Sequence, residues 1–283
     1  MKQFLITVAG VFVGLALFMI GVPILIVFLV AAAVQPAPMT GRGVLVLDLR
    51  GALADQEAGG PLAFLEGKPQ SVMAIEEGLR RAEGDDRVKG LFVRLPEGGM
   101  APAAADELRL AFKRFRASGK PILAHGQGLY AEGMAVSTYE LAAASGDVWM
   151  QPGSAFQATG AARQDIFFKR LFDRHGVAAD YQQRYEYKTA VNPYLYSDYT
   201  AAHRESEQSW MGSVYQAAVA AVAADRGQAP SQVAALIEAG PYLAEDARAK
   251  GLIGKNAQPL TGSVAAVSVG VVKGAPVLDL DYP

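Results

Sequence analysis

The chain has 283 residues, with 26 Lys+Arg against 28 Asp+Glu, 51% hydrophobic residues and no cysteine. That length suits one large domain or two small ones, and a net charge of −2 offers no basic face for nucleic acid. Without cysteine there is no disulfide, thiol nucleophile or thiolate metal ligand, and three scattered histidines (His125, His175, His203) argue against structural zinc, so neither metal nor cofactor is expected.

Charge is unevenly spread. Lys2 is the only charged side chain in residues 1–40, and Phe4 to Val34 is apolar apart from Thr7, Gly10, Gly14, Gly21 and Pro23. About 20 apolar residues cross a bilayer, so this run spans with tilt or with a kink near Pro23. A cleaved signal peptide is the rival reading, with Ala31-Ala32-Ala33 as a mimic of a cleavage site. Its apolar region is normally only about 7–15 residues, which favours an uncleaved anchor. Lys2 and the amino terminus orient the N-terminus toward the cytoplasm and the bulk of the chain outside it.

Gln35-Pro36-Ala37-Pro38 reads as a short, stiff tether, and Val44 to Leu49 as a buried strand. Ser71 is placed to cap a helix to about Ala82, with Val72, Ile75 and Leu79 on one face. Val88–Leu95 is a second strand, followed by Pro96-Glu97-Gly98-Gly99. A helix over Ala103–Ala117 stops at Gly119, and a strand at Pro121–Ala124, a helix at Gly133–Ala144 and a strand at Asp147–Met150 follow. This alternation predicts parallel β-α-β units and an α/β fold. Further on, the pattern predicts an amphipathic helix over Arg163–His175, an alternating strand over Tyr181–Lys188 and a long helix over Tyr199–Arg226. Shorter helices follow near Ser231–Glu238 and Ala244–Lys250, with a last apolar strand at Val264–Val272.

Two places offer chemistry. Gly98-Gly99 after a buried strand lets backbone N–H groups approach a ligand, as in an oxyanion hole; an ordinary strand-to-helix turn is the commoner explanation of a lone Gly-Gly. Lys188 is a general-base candidate, which requires desolvation or neighbouring positive charge; on the predicted strand Arg184 and Glu186 share its face. Taken alone, Lys188 reads as a solvated surface lysine. No nucleophile stands out: there is no Gly-x-Ser-x-Gly, Ser137 reads as a helix serine and Ser154 as a turn residue. Glu132 and Asp147 are a conceivable acid/base pair with nothing to bring them together.

Several segments together resemble the amino-terminal half of the signal peptide peptidase A family, the long, tandem-repeat type of membrane-bound Ser-Lys peptidase. The strongest is Tyr185–Tyr194 (YEYKTAVNPY), continuing through Tyr199–Glu205 and Trp210-Met211-Gly212. Val44–Gly51, Asp85–Gly90, Arg116–Pro121 and Ala249–Ile253 also match, so the resemblance covers nearly all of residues 1–255. It implies a crotonase/ClpP-like spiral of β-α-β units with a helical extension, preceded by one transmembrane helix. It further implies that Lys188 is the general base of a Ser-Lys dyad, which needs no histidine and no metal. Gly98 and Gly99 correspond to the family's Gly-Gly turn, which supplies an oxyanion donor in the serine-bearing half.

One departure is informative. Where short-form relatives carry a Ser-Gly-Gly nucleophile motif, this chain has Glu132-Gly133-Met134, so no nucleophile is expected in this chain. In the long form the serine belongs to the second repeat. The organisation expected is a short cytoplasmic N-terminus (1–3), a transmembrane anchor (4–34) and a linker (35–42). A lysine-bearing peptidase-type domain (43–255) follows, then a linker or strand (256–283) leading to a missing second repeat. The expected location is the inner membrane, single-pass, with the bulk periplasmic. Expected partners are the bilayer, apolar signal peptides, and either further copies of the chain or a serine-bearing half; nucleic acid is not among them. Three readings follow: half of a signal peptide peptidase, inactive alone; a non-catalytic, membrane-tethered assembly module; or a crotonase-like acyl-CoA enzyme, which the apolar anchor and the Lys188 context disfavour.

Overall fold

The computed structural model describes residues 1–33, 42–56 and 70–256, in two units that are considered separately. The first is a helix, α1 (Lys2–Ala33), with no charged side chain after Lys2 and with Pro23 inside it. Phe4, Phe12, Phe18, Ile24 and Phe28 are exposed on it, and the helix is long and apolar enough to cross a membrane. A helix that is apolar all round gains nothing from water, and suits lipid or a protein interior. The tether at Gln35–Pro38 and the strand expected at Val264–Val272 lie outside the described residues.

The second unit is built on parallel strands. After β1 (Gly43–Asp48) come two short strands, β2 (Leu53–Ala54) and β3 (Gln70–Ser71), which pair with each other. Then follow α2 (Val72–Glu83), β4 (Val88–Arg94), α3 (Pro102–Ala117), β5 (Ile122–Gly126), α4 (Ala135–Ala144) and β6 (Gly146–Met150). The local signals explain these boundaries. Ser71 accepts the Ala74 N–H and caps α2, and Gly119, at φ 85°, ends α3 in a left-handed conformation that glycine adopts at no steric cost.

The chain continues through β7 (Ala155–Phe156), α5 (Lys169–Arg174), a 3₁₀ turn (Thr189–Val191), α6 (Asn192–Leu195) and α7 (Ala201–Arg226). It closes with α8 (Pro230–Glu238), β8 (Tyr242–Leu243), α9 (Ala244–Ala249) and β9 (Lys255–Asn256). The main sheet has the order β1-β4-β5-β6-β9, all parallel. Each strand is added on the same side of the last, so right-handed crossovers put α2, α3 and α4 side by side on one face. Leu47, Ile75, Leu91, Leu108, Phe112, Phe115 and Leu141 are fully buried between these layers. Phe112 and Phe115 alone account for several kcal/mol, at about 3–5 kcal/mol per buried aromatic removed. α7 packs on α4, and the Tyr139 hydroxyl of α4 donates to the Leu252 carbonyl at 2.7 Å, fixing the chain as it enters β9. β7 and β8 form a separate antiparallel pair.

Two expected elements differ. The helix over Arg163–His175 is reduced to Lys169–Arg174, because residues 163–168 are drawn out along α7. Arg163 and Asp165 pair with each other, Arg163 also pairs with Glu207, and the Phe168 N–H donates to the Pro193 carbonyl at 2.7 Å. The strand over Tyr181–Lys188 does not form. No sheet edge receives it, and Tyr185 takes a left-handed conformation (φ 65°) that turns the chain.

Candidate active site

Lys188 stands just before the 3₁₀ turn Thr189–Val191. Its side chain is exposed, and among the described residues its ammonium makes no hydrogen bond or ion pair. The backbone beneath it is held on both sides. The Lys188 N–H donates to the Tyr185 carbonyl at 3.2 Å, and the Gln183 side-chain amide donates to the Lys188 carbonyl at 2.9 Å. Because no strand forms, Arg184 and Glu186 do not share a strand face with Lys188; the Arg184 guanidinium lies 5.5 Å from the Tyr185 ring centre instead.

Gly98 and Gly99 follow β4 at the carboxyl end of the sheet, where α/β folds bind ligands. The turn is pinned from α4: the Thr138 hydroxyl donates to the Gly98 carbonyl at 2.8 Å and accepts the Met100 N–H at 3.0 Å. The Gly99 N–H donates to the Glu132 carbonyl at 2.6 Å, and a Cβ at Gly99 would stand 2.2 Å from the Met134 nitrogen. The segment from Glu132 to Ala135 therefore fills the space in front of Gly99. Using the Gly99 amide on a substrate oxygen requires the Glu132 carbonyl to move away. Beside this turn lies a cavity of about 390 Å³ lined by Leu49, Arg50, Pro96, Gly99, Met100 and Ala104. At its edge the Arg50 guanidinium hydrogen-bonds Asp48 and holds that carboxyl below the usual range.

Other sequence candidates are resolved by their surroundings. Glu132 lies beside Gly98, beyond the carboxyl end of β4, whereas Asp147 pairs with Leu123 near the start of β5 and accepts from the Trp149 indole at 2.9 Å. The two are at opposite ends of the sheet and form no pair. Ser137 is fully buried inside α4, and the Ser154 hydroxyl donates to the Gln151 carbonyl. Aromatic residues from 167 to 203 pack in two separate groups. Phe168, Phe172, Tyr181 and Tyr194 stack together, with a cavity of about 380 Å³ beside Phe172, Val177 and Tyr194. Phe167 packs separately, against Tyr199 and His203.

Sequence reading missed a polar cluster at the start of α7, whose only local signal is the i,i+4 pair His203 and Glu207. Asp165, His203 and Glu207 bring three ligand-type atoms within 4.8 Å of one another. Arg163 already contacts Asp165 at 3.1 Å and Glu207 at 3.3 Å, so both carboxylates are matched by a cation of the chain itself. Burial pushes Asp165 up, but hydrogen bonds from Tyr199 and Arg163 outweigh it and hold the carboxyl below the usual range. The cluster is a clamp that fastens residues 163–168 to α7.

A model of peptidase family S49 matches residues 114–261. Protease 4 of Salmonella typhi is 27% identical over 206 residues, covering 69% of this chain and 32% of that protein. Protease 4 of Haemophilus influenzae is 28% identical over 255 residues, covering 85% of this chain and 39% of that protein. The chain thus spans between 32% and 39% of the length of these curated relatives. Among solved structures, the ClpP protease catalytic domain from Plasmodium falciparum matches at TM-score 0.39 and 9% identity, covering 77% of this chain and 86% of that one. An enoyl-CoA hydratase/isomerase family protein from Silicibacter pomeroyi matches at TM-score 0.35 and 19% identity, covering 76% and 71%.

Proposed function

Because this chain belongs to peptidase family S49, we propose that it is the lysine-bearing half of a membrane-anchored serine peptidase, with Lys188 as the general base. The observation that carries this reading is an exposed amine, without a hydrogen bond or ion pair among the described residues, on a backbone held on both sides; the desolvation a lysine base needs would come from the half that covers it. Such a lysine is ready to receive a hydroxyl from another part of the assembly. In the neutral form its Nζ takes the proton from a serine Oγ as that oxygen attacks the scissile carbonyl. It returns the proton to the departing amine, then takes a proton from the water that attacks the ester and hands it to the serine oxygen as that oxygen leaves. The serine comes from a second repeat or another chain. Gly98 and Gly99 are the corresponding turn of this half.

α1 serves as the anchor, with the bulk of the chain on the periplasmic side of the inner membrane. The substrates are apolar peptides, cleaved signal peptides among them, and the assembly is a homo-oligomer or a pair with the serine-bearing half. The test is reconstitution. Mixing this chain with a serine-bearing half restores hydrolysis of an apolar peptide, and Lys188→Ala removes it; activity that survives Lys188→Ala ends the assignment.

The Glu132–Gly99 hydrogen bond favours a second reading, a non-catalytic assembly module of the same fold. On that reading the chain still associates with its partner, but no partner restores hydrolysis.

A further inference from the structure

Among the described residues the Lys188 ammonium makes no hydrogen bond or ion pair, and the ties that set its place are made to its backbone. We infer that Gln183 is a positioning residue that sets where Lys188 stands, an inference that rests on the reading of Lys188 as general base. The Gln183 side-chain amide spends both its N–H groups on this task. One goes to the Lys188 carbonyl at 2.9 Å and the other to the Asn192 Oδ1 at 3.0 Å. Asn192 is fully buried and donates in turn to the Thr200 hydroxyl at 3.5 Å. Thr200 accepts the His203 N–H at 3.2 Å and caps α7, the longest helix of this unit. A line of hydrogen bonds therefore runs from the first turn of a 26-residue helix to the carbonyl of an exposed lysine.

The chemistry of the link selects glutamine. Two acceptors face one side chain, and only a group with two N–H donors of this reach satisfies both. Glutamate would place a third acceptor between them, and methionine fills the volume without a donor. The same link helps hold Tyr185 in a left-handed backbone, which for a non-glycine residue persists only where its surroundings determine it. Released from Gln183, the turn from Tyr185 to Lys188 loses one of its two ties, and a catalytic group displaced by about 1 Å loses up to about a hundredfold in rate.

The experiment uses the native protein in detergent with its serine-bearing partner, as wild type, Gln183→Met, Gln183→Glu and Lys188→Ala. Turnover of an apolar fluorogenic peptide is followed across pH, with thermal unfolding measured on the same samples. Both Gln183 variants are expected to lose roughly ten- to a hundredfold in kcat, with KM within about twofold and the melting temperature little changed. The loss lies in kcat rather than KM at every pH, the mark of a base moved from its place. Unchanged kcat, with Lys188→Ala inactive, overturns the role of Gln183 and leaves the general base standing. A drop that follows a lower melting temperature in proportion likewise overturns it, since that is the signature of a purely structural residue. If Lys188→Ala keeps its turnover, the reading of Lys188 fails and the role of Gln183 falls with it.

Discussion

The Gly99 amide and the Glu132 carbonyl are joined by a 2.6 Å hydrogen bond across the mouth of the sheet, between the turn after β4 and the segment leading into α4. The contact is so close that only a glycine fits: a Cβ at residue 99 would meet the Met134 nitrogen at 2.2 Å and the Ala135 nitrogen at 2.6 Å. Both are backbone atoms and cannot swing aside as a side chain can. Gly99→Ala is therefore expected to push residues 132–135 outward and to cost about 1–3 kcal/mol. At Gly98 the added carbon meets the Glu132 side chain at 3.3 Å, so Gly98→Ala is expected to cost well under half as much. Thermal unfolding of the two variants, at about 2–4 °C per kcal/mol for a chain of this size, separates them.

Glu140 supplies a pH dependence. It sits on α4 with 6% of its surface exposed, and burial, with Asp106 and Asp225 nearby, pushes its carboxyl up to about 7 despite the opposing pull of Arg109. A carboxyl raised above its unfolded value of 4.5 binds more protons in the folded state. Its contribution to stability is thus complete below about pH 4.5 and is lost as pH rises through 7. Glu140→Gln is expected to be more stable than wild type by about 1–3 kcal/mol at pH 8 and nearly equal to it at pH 4.5, since one pKa unit is worth about 1.4 kcal/mol. Urea midpoints across that range give the comparison. A constant difference between the two proteins would show that Glu140 is ionised throughout.

Asp225, near the end of α7, tests the packing of that helix on α3. Its side chain is only 4% exposed, and it accepts from Arg109 at 2.7 Å and Lys113 at 3.0 Å. Removing the carboxylate leaves the Arg109 guanidinium, 10% exposed, with a long contact to Asp106 at 3.5 Å as its remaining ion pair among the described residues. Asp225→Ala is expected to destabilise by about 3 kcal/mol. Lys113→Ala, which removes a half-exposed partner, is expected to cost under about 1 kcal/mol. Denaturant unfolding of both variants checks the ratio, and near-equal losses would mean that the pair with Arg109 contributes little.

Where structure follows from local pattern, it was legible. Val44–Leu49 and Val88–Leu95 read as buried strands because a parallel strand covered by helices needs apolar side chains on both faces, and both belong to the central sheet. The Ser71 cap and the Gly119 stop lie within a turn of the helices they bound. The two failures are segments whose partners are distant in sequence. Tyr181 to Lys188 alternates like a strand, yet its rings and amides bond to residues up to 18 positions on: Tyr181 stacks on Tyr194, the Tyr187 hydroxyl donates to Glu205, and Gln183 reaches Asn192. Arg163 to Phe168 has a helical apolar period, but Asp165 and Arg163 find better partners on α7 and just before it, 34 to 44 residues away, than a helical turn supplies. The candidate site was half legible for the same reason. Lys188 is visible as part of a motif, whereas the amide that holds it is defined by a contact that no spacing announces.

The assignment of Lys188 is open to a test that separates a base from a charge. Its ammonium has no partner among the described residues and its side chain is exposed, so substitution there leaves the fold intact. Lys188→Arg keeps the positive charge and most of the length, but a guanidinium stays protonated at any working pH and cannot accept a proton from serine. If Lys188 acts as the base, Lys188→Arg is expected to fall as far as Lys188→Ala when each is assayed with the serine-bearing partner. The loss of a general base is on the order of 10²–10⁴ in kcat. If the lysine only attracts or seats the peptide through its charge, the Arg variant retains most of its kcat and the Ala variant shows its loss in KM. Measuring kcat and KM separately for the two variants, on samples whose unfolding curves coincide, decides between a proton acceptor and an electrostatic anchor.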